Sequence, residues 1–156
     1  MAGKELDIAI RGGTLLTMSA SMDIVDNCFI GIKDGVISLV SSAEEKSAPA
    51  RAVKEIIDVS GCIVLPGLIN THTHLPMVCF RGMADDLPLM EWLTGHIFPA
   101  EAKFVSNEMV RAGATLAMAE MILSGTTTFC DAYFFESSVA ETALEAGMRA
   151  VVAQGF

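Results

Sequence analysis

From Pro66 onward the sequence alternates apolar, strand-like runs with punctuated helical segments, and no other feature narrows the possible folds as much. "GLINTH" reads as a buried strand. "SNEMVRAGATLAMAEMILSG" reads as a helix with Ser106 as N-cap, Glu108 and Arg111 spaced for an ion pair, and Gly125 as its C-terminal stop. "TTTFCDAYF" is a second strand. "SSVAETALEAG" is a second helix, with Ser138 and Glu141 at capping-box spacing and Gly147 to end it, and "MRAVVAQ" is a third strand. Strand, helix, strand, helix, strand is a βαβαβ pattern, which predicts parallel strands covered by helices and an α/β fold class. Only the stretch from His74 to Pro99 breaks the rhythm. It reads as a long loop with some helix near "LPLMEWL".

Before Pro66 the patterning is β. "LDIAIRGGTLLTM" places two apolar segments around Gly12 and Gly13, and "CFIGIKDGVISLV" sets Asp34-Gly35 between alternating hydrophobics, a strong hairpin signal. These predict short antiparallel strands. The polar, alanine-rich "SSAEEKSAPARAVKE" reads as a loop, and Ser60-Gly61 in "EIIDVSGCIVLPG" turns the chain between two more strands. The expected organisation is a small β-module over 1–65 and an α/β part over 66–156.

Composition removes several function classes. The chain has 156 residues, 52% of them apolar, yet no apolar run approaches the ~20 residues of a membrane span. Glu5, Asp7 and Arg11 fall where a signal peptide needs an uninterrupted apolar core, so the expected location is the cytoplasm. Four cysteines (Cys28, Cys62, Cys79, Cys130) contain no C-x-x-C pair, and we read them as buried free thiols. A net charge of −9 without a basic cluster argues against nucleic acid and for a small-molecule partner.

The chain has three histidines, and two of them, His72 and His74, stand one residue apart in "PGLINTHTHLPMVCFRG". In a strand they project to one face with Cα atoms roughly 6.5 to 7 Å apart, so both imidazoles can converge on one ion. They lie at the C-terminal end of the first parallel strand, where barrels of alternating β and α assemble their active sites. Taken as a bare pair, they read first as solvated polar residues at a strand end, and it is their context that points to a metal.

"VLPGLINTHTH" resembles the first barrel strand of the amidohydrolase superfamily. "HTHLPMVCFRGMADDLPLMEWLTGHIFPAEAKF" is similar to the branch that contains the 5-methylthioadenosine and S-adenosylhomocysteine deaminases and the triazine chlorohydrolases. The resemblance continues through "EMILSGTTTFCDAYFF" and "EAGMRAV" and covers essentially the whole chain, with Asn70 where many members of the superfamily carry Asp. It implies a small β-sandwich beside a (β/α)8 TIM-type barrel that is incomplete in this chain. It also implies one divalent metal, zinc or in some members iron, which lowers the pKa of water toward ~7 for hydrolytic displacement of ammonia from an aromatic ring carbon. By resemblance His72 and His74 are two of the metal ligands. The further ligands and the proton shuttle come in the family from later strands, so no catalytic residue is expected in this portion.

The same resemblance gives Glu101 the role of binding ribose hydroxyls and places Trp92, the single tryptophan, near the substrate. Read from the residues alone, Glu101 is also a first-turn glutamate after Pro99, favoured by the helix dipole, and Trp92 is a packing residue of a loop. His96 reads as a surface loop residue and Asp85-Asp86 as a solvated turn. Asp131, at the end of the second strand, is placed to orient a neighbouring group, and Arg81 to fix the loop after the histidines. The expected activity is metal-dependent deamination of an adenine nucleoside, S-adenosylhomocysteine or 5-methylthioadenosine. A triazine-type chlorohydrolase is the rival enzyme; a truncated, non-catalytic chain is the rival of another class. A barrel needs about 250 residues, so the chain is expected to form a homo-oligomer or to associate with a complementary chain.

Overall fold

The computed structural model describes residues 5–42 and 52–155, and the chain divides into two compact units, Met1–Pro66 and Gly67–Phe156. The first unit holds seven short strands: β1 (Leu6–Arg11), β2 (Thr14–Leu16), β3 (Ile24–Asp26), β4 (Cys28–Lys33), β5 (Val36–Ser42), β6 (Val53–Asp58) and β7 (Ile63–Val64). They form a four-stranded sheet in the order β5-β4-β1-β6 and a three-stranded sheet in the order β3-β2-β7. Leu15 from one sheet and Cys28 and Ile30 from the other are buried in one cluster, so the alternating apolar positions of each sheet face the other. Asp34 and Gly35 both adopt left-handed backbone, φ 52° and 74°, which is what a two-residue turn joining β4 to β5 requires.

Pairing in this unit departs from the purely antiparallel expectation. β1 runs antiparallel to β4 but parallel to β6, with Leu6 opposite Val53, and β2 runs parallel to β7. Gly12-Gly13 therefore passes the chain from one sheet to the other and closes no hairpin. The loop expected over 41–55 lies mostly in 43–51, outside the described residues.

In the second unit, β8 (Leu68–Thr73), β9 (Thr126–Tyr133) and β10 (Arg149–Gln154) form a parallel sheet in the order β10-β9-β8. The connections are α3 (Asn107–Leu123) and α4 (Glu136–Ala146), the two crossovers that parallel strands need. Val110, Ala114, Ala117 and Met118 form the buried stripe of α3, spaced for one helical face, and close over Leu75 and Phe129. Ser106 caps α3 by accepting the Met109 amide, and left-handed Gly125 and Gly147 follow the two helices as stops.

Four local expectations fail. α4 starts at Glu136, so Ser138 lies inside the helix, where its hydroxyl donates to Asn107 Oδ1 and caps nothing. Arg111 reaches across to Glu141 and Glu145 of α4 and leaves Glu108 at the dipole end of α3. "GLINTH" is a strand but an exposed one, with Leu68 and Ile69 at 51% and 65% exposure, because β8 has a strand neighbour on one side only among the described residues. Cys62 and Cys79 are likewise exposed, against the expectation of buried thiols, and only Cys28 is fully buried.

The segment between β8 and α3 is more ordered than a loop. A 3-10 turn (Leu75–Phe80) leads to α1 (Leu89–Trp92), a widened π-type turn (Leu93–Ile97) and α2 (Phe98–Phe104). Phe80, Ile97 and Ala100 make a small core of their own under it. Where α3 crosses the 3-10 turn, a Cβ on Gly113 would lie 2.9 Å from Pro76 Cα and O and 3.0 Å from Cys79 Sγ, so only glycine fits. Arg81 fastens the far end of the turn by pairing both guanidinium nitrogens with Glu120, at 3.0 and 2.7 Å.

Candidate active site

His72, near the end of β8, and His74, just beyond it, bring their Nε2 atoms to 3.4 Å, with the rings perpendicular and their centroids 5.2 Å apart. His74 Nδ1 lies 2.6 Å from the carbonyl oxygen of Ala132 on β9. A carbonyl only accepts, so Nδ1 carries the proton and Nε2 of the neutral ring keeps its lone pair. A carbonyl on the far nitrogen is the usual device for orienting a metal-binding histidine. The Nε2 separation supplies a test of fit: Zn–N bonds of 2.0–2.1 Å at the tetrahedral angle put two ligand nitrogens about 3.3 to 3.4 Å apart. That matches the observed spacing, which is long for a hydrogen bond between two imidazoles. Among the described residues no group of three or more His, Cys, Asp or Glu side chains converges on a metal-sized space, so these imidazoles are the local donor pair.

The chain on either side of His74 is tied to β9. Thr73 Oγ1 lies 2.5 Å from Asp131 Oδ1 and 2.8 Å from the Cys130 carbonyl, and the Leu75 amide donates to the same Asp131 oxygen at 2.8 Å. Asp131 is buried, 3% exposed, because β9 turns Phe129, Asp131 and Tyr133 toward the helices. Asn70 adds a local restraint on the same strand: its Oδ1 accepts the His72 amide at 3.3 Å.

Beside His74 opens a cleft of about 410 Å³, walled by Met77, Leu89, Trp92, Leu93 and Tyr133 and reaching Glu101. Trp92 lies in α1, and its indole Nε1 donates to the Met83 carbonyl at 3.2 Å, which fixes the ring plane. Glu101 sits in the first turn of α2, as a glutamate after Pro99 should, and also accepts the buried Tyr133 hydroxyl on Oε1 at 2.8 Å. Burial, and then the Glu101 carboxylate, push the Tyr133 phenol well above its usual range, so it stays a donor. The Tyr133 ring lies 6.3 Å from that of His74, which makes it the physical link between the histidines and Glu101.

The structure thus brings His74, Trp92 and Glu101 to one cleft with His72 beside it. His96 is exposed on the π-type turn and absent from the cleft wall. Asp85 and Asp86 are exposed, and Asp86 has a left-handed φ of 63°, the backbone of a solvated turn. Two residues of this neighbourhood carry no sequence signal. Tyr133 reads as one aromatic of a strand, and Glu136 as a glutamate just ahead of the expected helix; Glu136 is 3% exposed, and burial followed by the Asp131 carboxyl pushes it up to about 8.

Residues 63–156 match the amidohydrolase family model. The chain is 53% identical over 154 residues to a 5-methylthioadenosine/S-adenosylhomocysteine deaminase of Syntrophobacter fumaroxidans, covering 99% of this chain and 35% of that protein. It is 46% identical to a 5'-deoxyadenosine deaminase of Methanococcoides burtonii, covering 96% of this chain and 33% of the relative. Among solved structures, an adenosine deaminase from Xanthomonas campestris with bound zinc superposes with a TM-score of 0.90 at 35% identity, covering 95% of this chain and 34% of that one. The chain therefore spans about a third of the length of the curated relatives it matches.

Proposed function

The chain belongs to the amidohydrolase family, and from that membership we propose that it supplies the metal strand and the nucleoside-facing wall of a hydrolytic deaminase. The substrate class is an adenine nucleoside carrying a 5′-thioether, S-adenosylhomocysteine or 5-methylthioadenosine. The parallel strands β8, β9 and β10 would be the first three of a (β/α)8 barrel over 66–156, with 1–65 as its β-sandwich module. The observation that carries the reading is the 3.4 Å approach of the two Nε2 atoms, one of them fixed as a lone-pair donor by the Ala132 carbonyl.

His72 and His74 would hold a divalent metal, zinc by the fit of their spacing. When bound, such a metal supplies a water nucleophile at neutral pH. The chain's own residues then divide the remaining work. Asp131 holds the Thr73 hydroxyl and the Leu75 amide on either side of His74, and Ala132 fixes its tautomer. The apolar wall of Met77, Leu89, Trp92 and Leu93 suits a purine or thioether and excludes water from it. Tyr133 commits one oxygen of Glu101, which leaves the other to accept from a ribose diol.

The test is made in the full-length gene product. His72→Ala and His74→Ala should each lose most bound zinc, and each should lower adenine-to-hypoxanthine conversion in S-adenosylhomocysteine by more than the roughly 10- to 100-fold that outer partners of metal ligands are worth. Far-ultraviolet circular dichroism should be unchanged. Full zinc occupancy in both variants would remove the metal assignment.

A further inference from the structure

Asp131 and Glu136 form a buried pair whose hydrogen bonds do not balance if both are ionised. Asp131 Oδ1 has two donors, Thr73 Oγ1 and the Leu75 amide, while Asp131 Oδ2 and both oxygens of Glu136 are buried with none among the described residues. Both are buried, Asp131 on the helix-facing side of β9 and Glu136 in the first turn of α4, and the Asp131 carboxyl is among the causes that push Glu136 up. Two carboxylates are acceptors only, and they satisfy one another only when one carries a proton. Oδ1 of Asp131 already has its donors, so the oxygen left to be satisfied is Oδ2, and the other orphaned carboxyl at this end of β9 is that of Glu136.

We propose that Glu136 is a positioning residue for the histidine strand: its protonated carboxyl donates to Asp131 Oδ2, so that Oδ1 stays aimed at Thr73 and Leu75. The inference rests on the metal reading for its purpose, since Thr73 and Leu75 flank His74. Its geometry stands without that reading. Glu136 itself is held in place by its backbone amide, which donates to Gln154 Oε1 at 3.0 Å, and by the left-handed Phe135, φ 54°, that turns the chain from β9 into α4.

Among the described residues the surroundings offer no counter-charge. On β9 the groups bearing on Glu136 are the Asp131 carboxyl and the Tyr133 backbone amide, which favours the anion weakly without making a hydrogen bond. The nearby polar groups of α3 and β10 are the neutral Asn107 and Gln154, and Arg111 of α3 is engaged by Glu141 and Glu145. The Tyr133 phenol is held protonated by burial and by Glu101. A second negative charge in this site would therefore meet only the first.

The sign of the pH effect follows. Glu136 is pushed up to about 8 in the fold, so the folded chain binds this proton more tightly than the unfolded one. Its contribution to stability is complete below the ordinary carboxylate range and is lost as pH rises toward and through about 8. Glu136→Gln keeps a donor facing Oδ2 at every pH. Glu136→Ala removes it.

The experiment compares the full-length gene product with these two variants in zinc affinity by chelator competition from pH 7 to 9, hydrogen exchange at the Leu75 amide, and the infrared carbonyl band of protonated carboxyl groups. In the parent, zinc affinity and Leu75 protection should fall together as pH rises, and the protonated-carboxyl band should fade. Glu136→Gln should lack that band and hold zinc affinity within about twofold across the range. Glu136→Ala should lose tenfold or more in both affinity and protection already at pH 7; if it does not fold, the comparison of parent with Glu136→Gln decides. A parent without the band at pH 7, or a Glu136→Gln protein that loses zinc as steeply as the parent, would overturn the proposal. Should the parent bind no zinc at all, the metal reading falls while the infrared band and the Leu75 amide still decide on Glu136.

Discussion

A carboxylate that already accepts a buried phenol has one oxygen aimed and one free, and Glu101 is in that condition beside the cleft. Replacing it by Gln keeps the shape and removes the charge. Charged hydrogen bonds are worth roughly 1.5 to 3 kcal/mol, so Glu101→Gln should lower kcat/KM for the nucleoside by about 10- to 150-fold. The loss should be much smaller for a 2′,3′-dideoxy analogue, and equal losses on the two substrates would return Glu101 to the service of the helix terminus. The position of Glu101 was legible in the sequence because a proline and a helix start frame it. Its partner was not: Tyr133 lies on another strand, and one sequence holds no signal for which aromatic of "TTTFCDAYFF" turns toward which carboxylate. The same limit hid Glu136, whose unusual state comes from burial against Asp131 and not from any neighbour in the chain.

Between elements, α3 approaches the 3-10 turn after the histidines closely at Gly113. Gly113→Val forces a side chain against the Pro76 backbone. Overpacking of this kind costs about 1–3 kcal/mol and should lower the urea midpoint and, because the turn continues from His74, the zinc affinity as well. Gly95, where an added Cβ meets nothing within 4 Å, provides the control: Gly95→Ala should leave both unchanged or raise the midpoint. A Gly113→Val protein as stable as the control would show that the turn yields freely. The cap at Ser106 and the stops at Gly125 and Gly147 could be read from the sequence, since each is a local residue preference satisfied within one turn. The start of α4 could not. Spacing alone favoured Ser138 and Glu141, but a phenylalanine in left-handed backbone opens the helix three residues earlier, and no propensity announces that.

At the scale of the whole chain, the parallel sheet has β8 and β10 as its outer strands among the described residues, with Leu68, Ile69 and Val151 exposed along them. Parallel strands are normally covered on both faces, and open apolar edges recruit other chains. The 156-residue chain purified alone should therefore self-associate with rising concentration in sedimentation, and a monomer at every concentration would count against the sheet edges as adhesive surfaces. The βαβαβ order was readable because each crossover is continuous in sequence. The pairing of β1 with β6 was not, because the partners are distant along the chain and parallel. That pairing also sets a timetable. β1 ends up in the middle of its sheet, between β4 and β6, although it precedes both of them in the chain. At about 5–20 residues per second, Val53 follows Leu6 out of the ribosome only after an interval on the order of seconds. For that interval the β6 edge of an apolar strand stays open even after β4 has been made for the other edge, and this is the stage of the chain's life at which a chaperone has most to shield.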